Sequence, residues 1–318
     1  MFDVIGDIHG QADALRRLLT RLGYQHQQGA YRHEKRKAVF VGDFIDRGPR
    51  IKEVLEIVRP MVAQKTARAV MGNHEFNAIA FHTVHPQEGG FLRPRNYKNI
   101  RQTRESIAQL SNDEIADYVE WFRGLPMWLE LETGDGRLRV VHASWIESQM
   151  QVIDAHREKA GGLTTTFFTE ACKRGSDLYL AIDDVLKGTE AELPNGLTFF
   201  DKDGHERSKA RTRWYLDSSE PSLTWRDYTM CFREREQLAV PDEALPKEDR
   251  PQTGYPADAP PVIFGHYWVP PEEELLKPLA PNVACVDFSA GKGGLLAAYR
   301  WDGEATLSAD KFVAVSAS

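Results

Sequence analysis

Cysteine is scarce: Cys172, Cys231 and Cys285 are the whole complement of 318 residues, odd in number and far apart. No Cys-x-x-Cys spacing occurs, so neither a disulfide framework nor a zinc knuckle is expected, and the three read as buried thiols in a reducing compartment. Long apolar stretches are missing too. No uninterrupted run approaches the roughly 20 residues that span a bilayer, and Met1-Phe2-Asp3-Val4-Ile5-Gly6-Asp7 lacks the basic and apolar regions of a secretory leader. A cytoplasmic protein with no membrane partner is the expectation. Excess positive charge is absent as well: 40 Lys and Arg against 47 Asp and Glu give a formal charge of -7. That excludes a general attraction to polyanions, so no nucleic-acid partner is expected.

What is present is ordinary for a globular chain, with 42% hydrophobic and 27% charged residues. Val4-Ile5 is a short apolar run stopped by Gly6-Asp7, and Ala14, Leu15, Leu18, Leu19 and Leu22 then follow at helical spacing before Gly23. The unit recurs. Ala38 to Val41 runs into Gly42-Asp43 before a periodic stretch with Ile51, Val54, Leu55 and Val58, and Ala69-Val70-Met71 ends at Gly72-Asn73 before another helical segment. Strands alternating with helices imply a parallel, helix-covered sheet. Ser111 and Glu114 form a capping box opening a helix through Trp121, and runs 128 to 133 and 137 to 141 flank Gly134-Asp135-Gly136 as a hairpin. From about 146 to 255 periodicity weakens, which suggests an irregular cap or substrate-side insertion. Strand patterns resume at Val262 to Phe264, Val283 to Val286 and Leu295 to Tyr299.

Five apolar runs end in groups able to ligate a metal: Asp7 with His9, then Asp43, Asn73, His142 and His266. In open α/β sheets the carboxyl ends of strands meet at one crevice, so these side chains are expected to converge. Oxygen and imidazole donors without thiolates suit manganese, iron, zinc or magnesium. Two such ions about 3.5 to 4 Å apart can clamp the attacking and leaving oxygens of an in-line displacement.

Gly6-Asp7-Ile8-His9-Gly10, Gly42-Asp43-Phe44-Ile45-Asp46-Arg47-Gly48 and Gly72-Asn73-His74-Glu75, in that order, resemble the motifs of the calcineurin-like metallophosphoesterases. Within them the resemblance is to the phosphoprotein-phosphatase group, which includes Ser/Thr phosphatases and diadenosine tetraphosphatases. It is close over residues 3 to 80 and continues at Val141-His142, Gly265-His266, Asp287 and Gly293-Gly294. It implies an α/β fold, a two-sheet sandwich flanked by helices in four α/β/β/α layers, here as one domain over residues 1 to 318 with its insertion at 146 to 255. Two divalent ions are implied, manganese foremost. Asp7, His9 and Asp43 would hold one, and Asp43 would bridge to a second completed by Asn73, His142 and His266. His74 would be the general acid, Asp46 its orienting partner, and Arg47, Asn73 and His74 the contacts to the phosphoryl group. Arg213 is the first candidate for a second phosphate-binding arginine, with Arg211 close behind. A hydroxide between the metals would attack phosphorus directly, without a phosphoenzyme.

The implied activity is hydrolysis of phosphomonoesters, with a phosphorylated protein or a small phosphate ester as partner. Departures bear on the substrate. His142-Ala143-Ser144 stands where the group has His-Gly-Gly, and Trp268 stands where phosphodiesterases carry a further His. An acid at Asp46 and Glu rather than Asp at position 75 lean toward the protein phosphatases. The rival activity is hydrolysis of dinucleoside polyphosphates, for which Trp214, Trp225 and Trp268 could offer a stacking surface; a non-catalytic metal-binding scaffold is the third reading.

Overall fold

Strand β1 (Phe2–Ile5) is divided between two cores, because successive side chains of a strand point to opposite faces. Val4 joins Val39, Val41, Leu138, Val140, Ile263 and Val286 in one apolar cluster. Ile5 joins Leu15, Leu18, Phe40, Val54 and Val58 in another. The first cluster lies between two sheets and the second between sheet and helices, so alternation along each strand builds the sandwich. The computed structural model describes residues 1–134, 136–200, 206–216, 222–232, 240–246 and 254–318.

Along the chain, β1 leads to α1 (Ala12–Arg21), a hairpin of β2 (Gln25–Gln27) and β3 (Ala30–Arg32), and β4 (Lys37–Phe40). Then come α2 (Ile51–Ala63), β5 (Ala67–Ala69), α3 (Asn73–His82), α4 (Tyr97–Gln109) and α5 (Asn112–Arg123). Ser111 and Glu114 form the expected capping box at the start of α5. The hairpin of β6 (Trp128–Thr133) and β7 (Gly136–Val141) also forms, although Asp135 of its turn lies outside the described residues.

The region from 146 onward is more regular than its sequence suggests, opening with α6 (Glu147–Lys159), α7 (Thr165–Ala171) and α8 (Asp177–Lys187). Helix α6 buries only Met150 and Ile153, which is why its period is faint. Short strands β8 (Glu190–Glu192), β9 (Phe199–Phe200), β10 (Glu206–Arg207) and β11 (Lys209–Arg211) pair as β8 with β11 and β9 with β10, before the short helix α9 (Trp225–Tyr228). The sheets resume with β12 (Val262–Phe264), β13 (Val283–Cys285), β14 (Asp287–Phe288), β15 (Leu295–Trp301) and β16 (Phe312–Ser316).

One sheet runs β14-β15-β1-β4-β5 with β16 on β15, and the other runs β13-β12-β7-β6. The first is mixed rather than wholly parallel: β1, β4 and β5 are parallel, but β15 is antiparallel to β1. In the second, β7 and β12 are parallel. Within each sheet the parallel strands therefore deliver their carboxyl ends to one side, at Asp7, Asp43 and Asn73 and at His142 and His266. The cysteines are free, with Cys231 and Cys285 buried. Among the described residues no helix is long and apolar enough to cross a membrane.

Candidate metal centre

Loops leaving these strands carry an unusual backbone. His9, Asp43, Asp46, Arg47 and His266 have φ of 45°, 54°, 64°, 71° and 72°. For residues with a Cβ the left-handed region costs on the order of 1 kcal/mol each, so surrounding contacts must hold them there. Glu75 is one such anchor. Its carboxylate accepts the N–H groups of Asp43 at 2.7 Å, Phe44 at 2.9 Å and Gly72 at 3.0 Å, tying two loops together. Glycine is required at positions 72 and 265, since a Cβ would collide with the Asp43 and Asp7 carboxylates respectively.

Asp43 faces histidines on both of its oxygens. His9 Nδ1 donates to the Ile45 carbonyl at 2.9 Å, which leaves a lone pair on Nε2. That Nε2 is buried without a hydrogen-bond partner and lies 3.5 Å from Asp43 Oδ2, with His74 Nε2 at 4.0 Å from the same oxygen. On the other side, His142 Nδ1 donates to the Val41 carbonyl at 2.7 Å, and its Nε2 lies 3.6 Å from Asp43 Oδ1 and 3.1 Å from Asn73 Oδ1. His266 Nδ1 lies 2.9 Å from Asn73 Oδ1. Lone pairs of His9 and His142 thus point at oxygens that are themselves acceptors. A cation on each side of Asp43 resolves both juxtapositions, and this donor set fits two divalent ions.

Electrostatics agree with that fit. Burial, reinforced by Asp287 and Asp43, raises the Asp7 carboxyl well above its ordinary range, as expected where carboxylates crowd without a positive charge. Burial acts on Asp43 in the same sense, but His142, His74 and His9 outweigh it and hold the group below its usual range. Burial lowers His9 and His266, which keeps both imidazoles neutral. Asp7 itself is turned toward the His266 amide, accepting it at 3.2 and 3.1 Å.

Beside these groups sits an acid–base pair. His74 Nδ1 lies 2.6 Å from Asp46 Oδ2. Burial would lower His74, but Asp43 and Asp46 together raise it. Ser106, missed in the sequence, donates from Oγ to Asp46 Oδ1 at 2.5 Å and accepts the Asp46 N–H at 3.0 Å. Gln109, also missed, donates to the Gly48 carbonyl at 3.0 Å and accepts the Ile51 N–H at 2.6 Å. Arg47 lies over the Trp268 ring.

The two candidate arginines part company. Arg211 reaches both His266 Nε2 and the Lys187 carbonyl. Because a guanidinium only donates, His266 accepts on Nε2 here, and ligation through Nδ1 requires Arg211 to leave that nitrogen. Arg213 instead bonds the Tyr228 carbonyl through its backbone and influences Asp227 and Tyr215. The chain turns after Thr212, so the alternation that would keep both arginines on one face stops. Of the three tryptophans expected to offer a stacking surface, Trp214 and Trp225 are corrected to core residues, 5% and 3% exposed. At His142-Ala143-Ser144 the departing sequence is pinned to α8: Ala143 and Ser144 N–H both bond the Val185 carbonyl, and Ser144 Oγ donates to the Asp184 carbonyl.

Comparison with known proteins gives a match to the family model described as calcineurin-like phosphoesterase over residues 1–171. The asymmetrical bis(5'-nucleosyl)-tetraphosphatase PrpE of Oceanobacillus iheyensis is 32% identical over 134 residues, 41% of this chain and 51% of that protein. PrpE of Bacillus subtilis is 32% identical over 147 residues, 45% and 57% of the two chains. The chain thus spans about half the length of these relatives. Among solved structures, a serine/threonine phosphatase from Saccharomyces cerevisiae aligns over 99% of this chain and 78% of its own at 14% identity and a TM-score of 0.44.

Proposed function

Because the chain belongs to the calcineurin-like phosphoesterase family, we propose that it is a metal-dependent phosphoric ester hydrolase acting on phosphomonoesters of alcohols, either phosphoserine or phosphothreonine in a protein or a small phosphorylated metabolite. The observation that carries the substrate reading is the His74–Asp46 pair at 2.6 Å. An alkoxide is a poor leaving group and needs a proton as the P–O bond breaks. The nucleotide expelled from a phosphoanhydride is already a stable anion and needs one far less. A buried imidazole whose protonated form is favoured by two neighbouring carboxylates suits the first task.

In this reading Asp7, His9, Asp43, Asn73, His142 and His266 hold two divalent ions. Manganese is the first candidate, and iron, zinc and magnesium share the same donor preferences. When bound, such ions make water nucleophilic at neutral pH and offset charge on the phosphoryl oxygens. The chain's own residues do the rest. Arg47 and Arg211 orient the phosphoryl group through charge-assisted hydrogen bonds, with Arg211 taking the part first given to Arg213. Asn73 lies between His142 and His266 and borders the same space. His74 delivers its Nε2 proton to the leaving oxygen while Asp46 fixes the ring through Nδ1. The described residues between 146 and 255 form a substrate-side cap on a single cytoplasmic domain.

The second reading, hydrolysis of dinucleoside polyphosphates, draws on the similarity to PrpE over 41% to 45% of the chain. It has fewer exposed aromatics to draw on, since only Trp268 of the three remains near the site. A non-catalytic scaffold is disfavoured by the full set of ligand types. The test is manganese-supported turnover of a phosphothreonine peptide and of diadenosine tetraphosphate, with Asp43→Asn as the blank. Peptide hydrolysis lost in the variant supports the proposal; preferred hydrolysis of the dinucleotide replaces it with the second reading.

A further inference from the structure

Helix α4 contacts, through Ser106 and Gln109, the loop that carries Asp46 and Arg47, two consecutive non-glycine residues in the left-handed region. Its buried Ser106 grips Asp46 twice: the hydroxyl donates to Oδ1 at 2.5 Å and accepts the Asp46 backbone N–H at 3.0 Å. Main chain and carboxylate of one residue are thereby fixed by one atom 60 residues away in sequence. With Oδ1 so held, Oδ2 is the oxygen left to face His74 Nδ1, at 2.6 Å. That bond commits the Nδ1 hydrogen and leaves Nε2 pointing into the centre, 4.0 Å from Asp43 Oδ2. One turn further along α4, Gln109 holds the neighbouring Gly48 carbonyl and Ile51 N–H but touches neither Asp46 nor His74.

We propose that Ser106 is a positioning residue for proton delivery: through Asp46 it sets the ring orientation of His74, and so the aim of Nε2 at the leaving oxygen. The inference rests on the reading of His74 as general acid. In the step concerned, the phosphorus–oxygen bond to the leaving group breaks, the electron pair passes to that oxygen, and the proton on His74 Nε2 joins it. Ser106 exchanges no proton with substrate; its effect appears only where the leaving group needs one.

The test compares kcat on phenyl phosphate, whose leaving group is basic, with kcat on 2,4-dinitrophenyl phosphate, whose leaving group departs unaided. Wild type, Ser106→Ala, Gln109→Ala and His74→Asn are each assayed after metal content is equalised by elemental analysis. General acid catalysis contributes about 10²–10⁴-fold, and misaiming it in Ser106→Ala should cost about tenfold or more on phenyl phosphate while changing dinitrophenyl phosphate less than about twofold. Gln109→Ala, which loosens the loop without touching Asp46, should slow both substrates alike. If Ser106→Ala also slows both alike, or slows neither, while His74→Asn is selective, the positioning role is wrong and the acid assignment stands. If His74→Asn itself shows no selectivity, the reading of His74 has failed. The dinitrophenyl phosphate rate in each variant reports whether the site has folded.

Discussion

The guanidinium of Arg47 lies 4.4 Å over the indole of Trp268, and the same indole stacks on His9 with centroids 5.6 Å apart. One side chain therefore touches both a candidate metal ligand and a candidate phosphate clamp. A cation over an indole gains about 1 kcal/mol, so Trp268→Ala should lower kcat/KM by about threefold to tenfold. The loss should fall on KM, because Arg47 is freed to wander while His74 and Asp46 keep their places. Steady-state kinetics decide it: a fall in kcat at unchanged KM would mean that the indole acts through His9 instead.

At Asp7 stability and function should pull in opposite directions. Its carboxyl is raised well above the ordinary range by burial and by Asp287 and Asp43, so in the metal-free protein its ionised form is disfavoured relative to the unfolded chain. For an acid raised in the folded state, the stabilising contribution is present at low pH and lost as pH rises, which makes ionised Asp7 a cost without its ions. Asp7→Asn should therefore raise the melting temperature in chelator, on the order of 2–4 °C for each kcal/mol relieved. It should also reduce the bound metal per chain and the further stabilisation that added manganese gives wild type. Melts with and without chelator test both signs; a variant that melts lower than wild type in chelator would contradict the argument.

Glu75 anchors three backbone N–H groups and is pushed up to about 7 by burial and by Asp43. Glutamine keeps the shape but turns one acceptor into a donor that faces backbone donors. Leaving buried N–H groups unpaired costs about 1–3 kcal/mol each, so Glu75→Gln should be destabilised by at least that much and should bind metal weakly, because Asp43 loses its fixed backbone. Denaturant unfolding and metal content measure the two effects. Unchanged stability would mean that the loops hold without this anchor.

Much of the centre was legible because its logic is local. Each ligand follows an apolar run at a glycine-marked strand end, and parallel pairing of β1, β4 and β5, and of β7 with β12, brings those ends together. Glu75 was visible within its motif, though not as an anchor. Ser106 and Gln109 were not legible at all: on a solvated helix they look like any polar residues, and their partners lie 60 and 61 residues away. Helix α8 was overlooked although Leu178, Ala181, Ile182, Val185 and Leu186 form a regular buried face. The separation of Arg211 from Arg213 depends on where β11 stops, which pairing with β8 decides rather than any preference of the arginines.

Asp184 offers a test of linkage away from the centre. Burial, with Asp183 adding to it and Gln149 opposing, raises its carboxyl to about 6. Its side chain accepts from Gln149 at 3.0 Å, while its backbone carbonyl holds Ser144 and so the segment after His142. Below the unfolded value near 3.8 the group is protonated in both states and costs nothing. As pH rises toward about 6 the unfolded chain ionises first and folding stability falls, and above that value the loss is complete. Asp184→Asn keeps an oxygen for Gln149 and removes the titration. The variant should match wild type near pH 4 and exceed it at pH 7 by about 1–2 kcal/mol, after discounting about 1.4 kcal/mol per unit for solvent screening of a partly exposed group. Denaturant melts across that range would show two curves diverging between pH 4 and 6. Parallel curves would mean that this carboxylate is already relieved in the folded state, and that the junction between α8 and the segment after His142 does not depend on its charge.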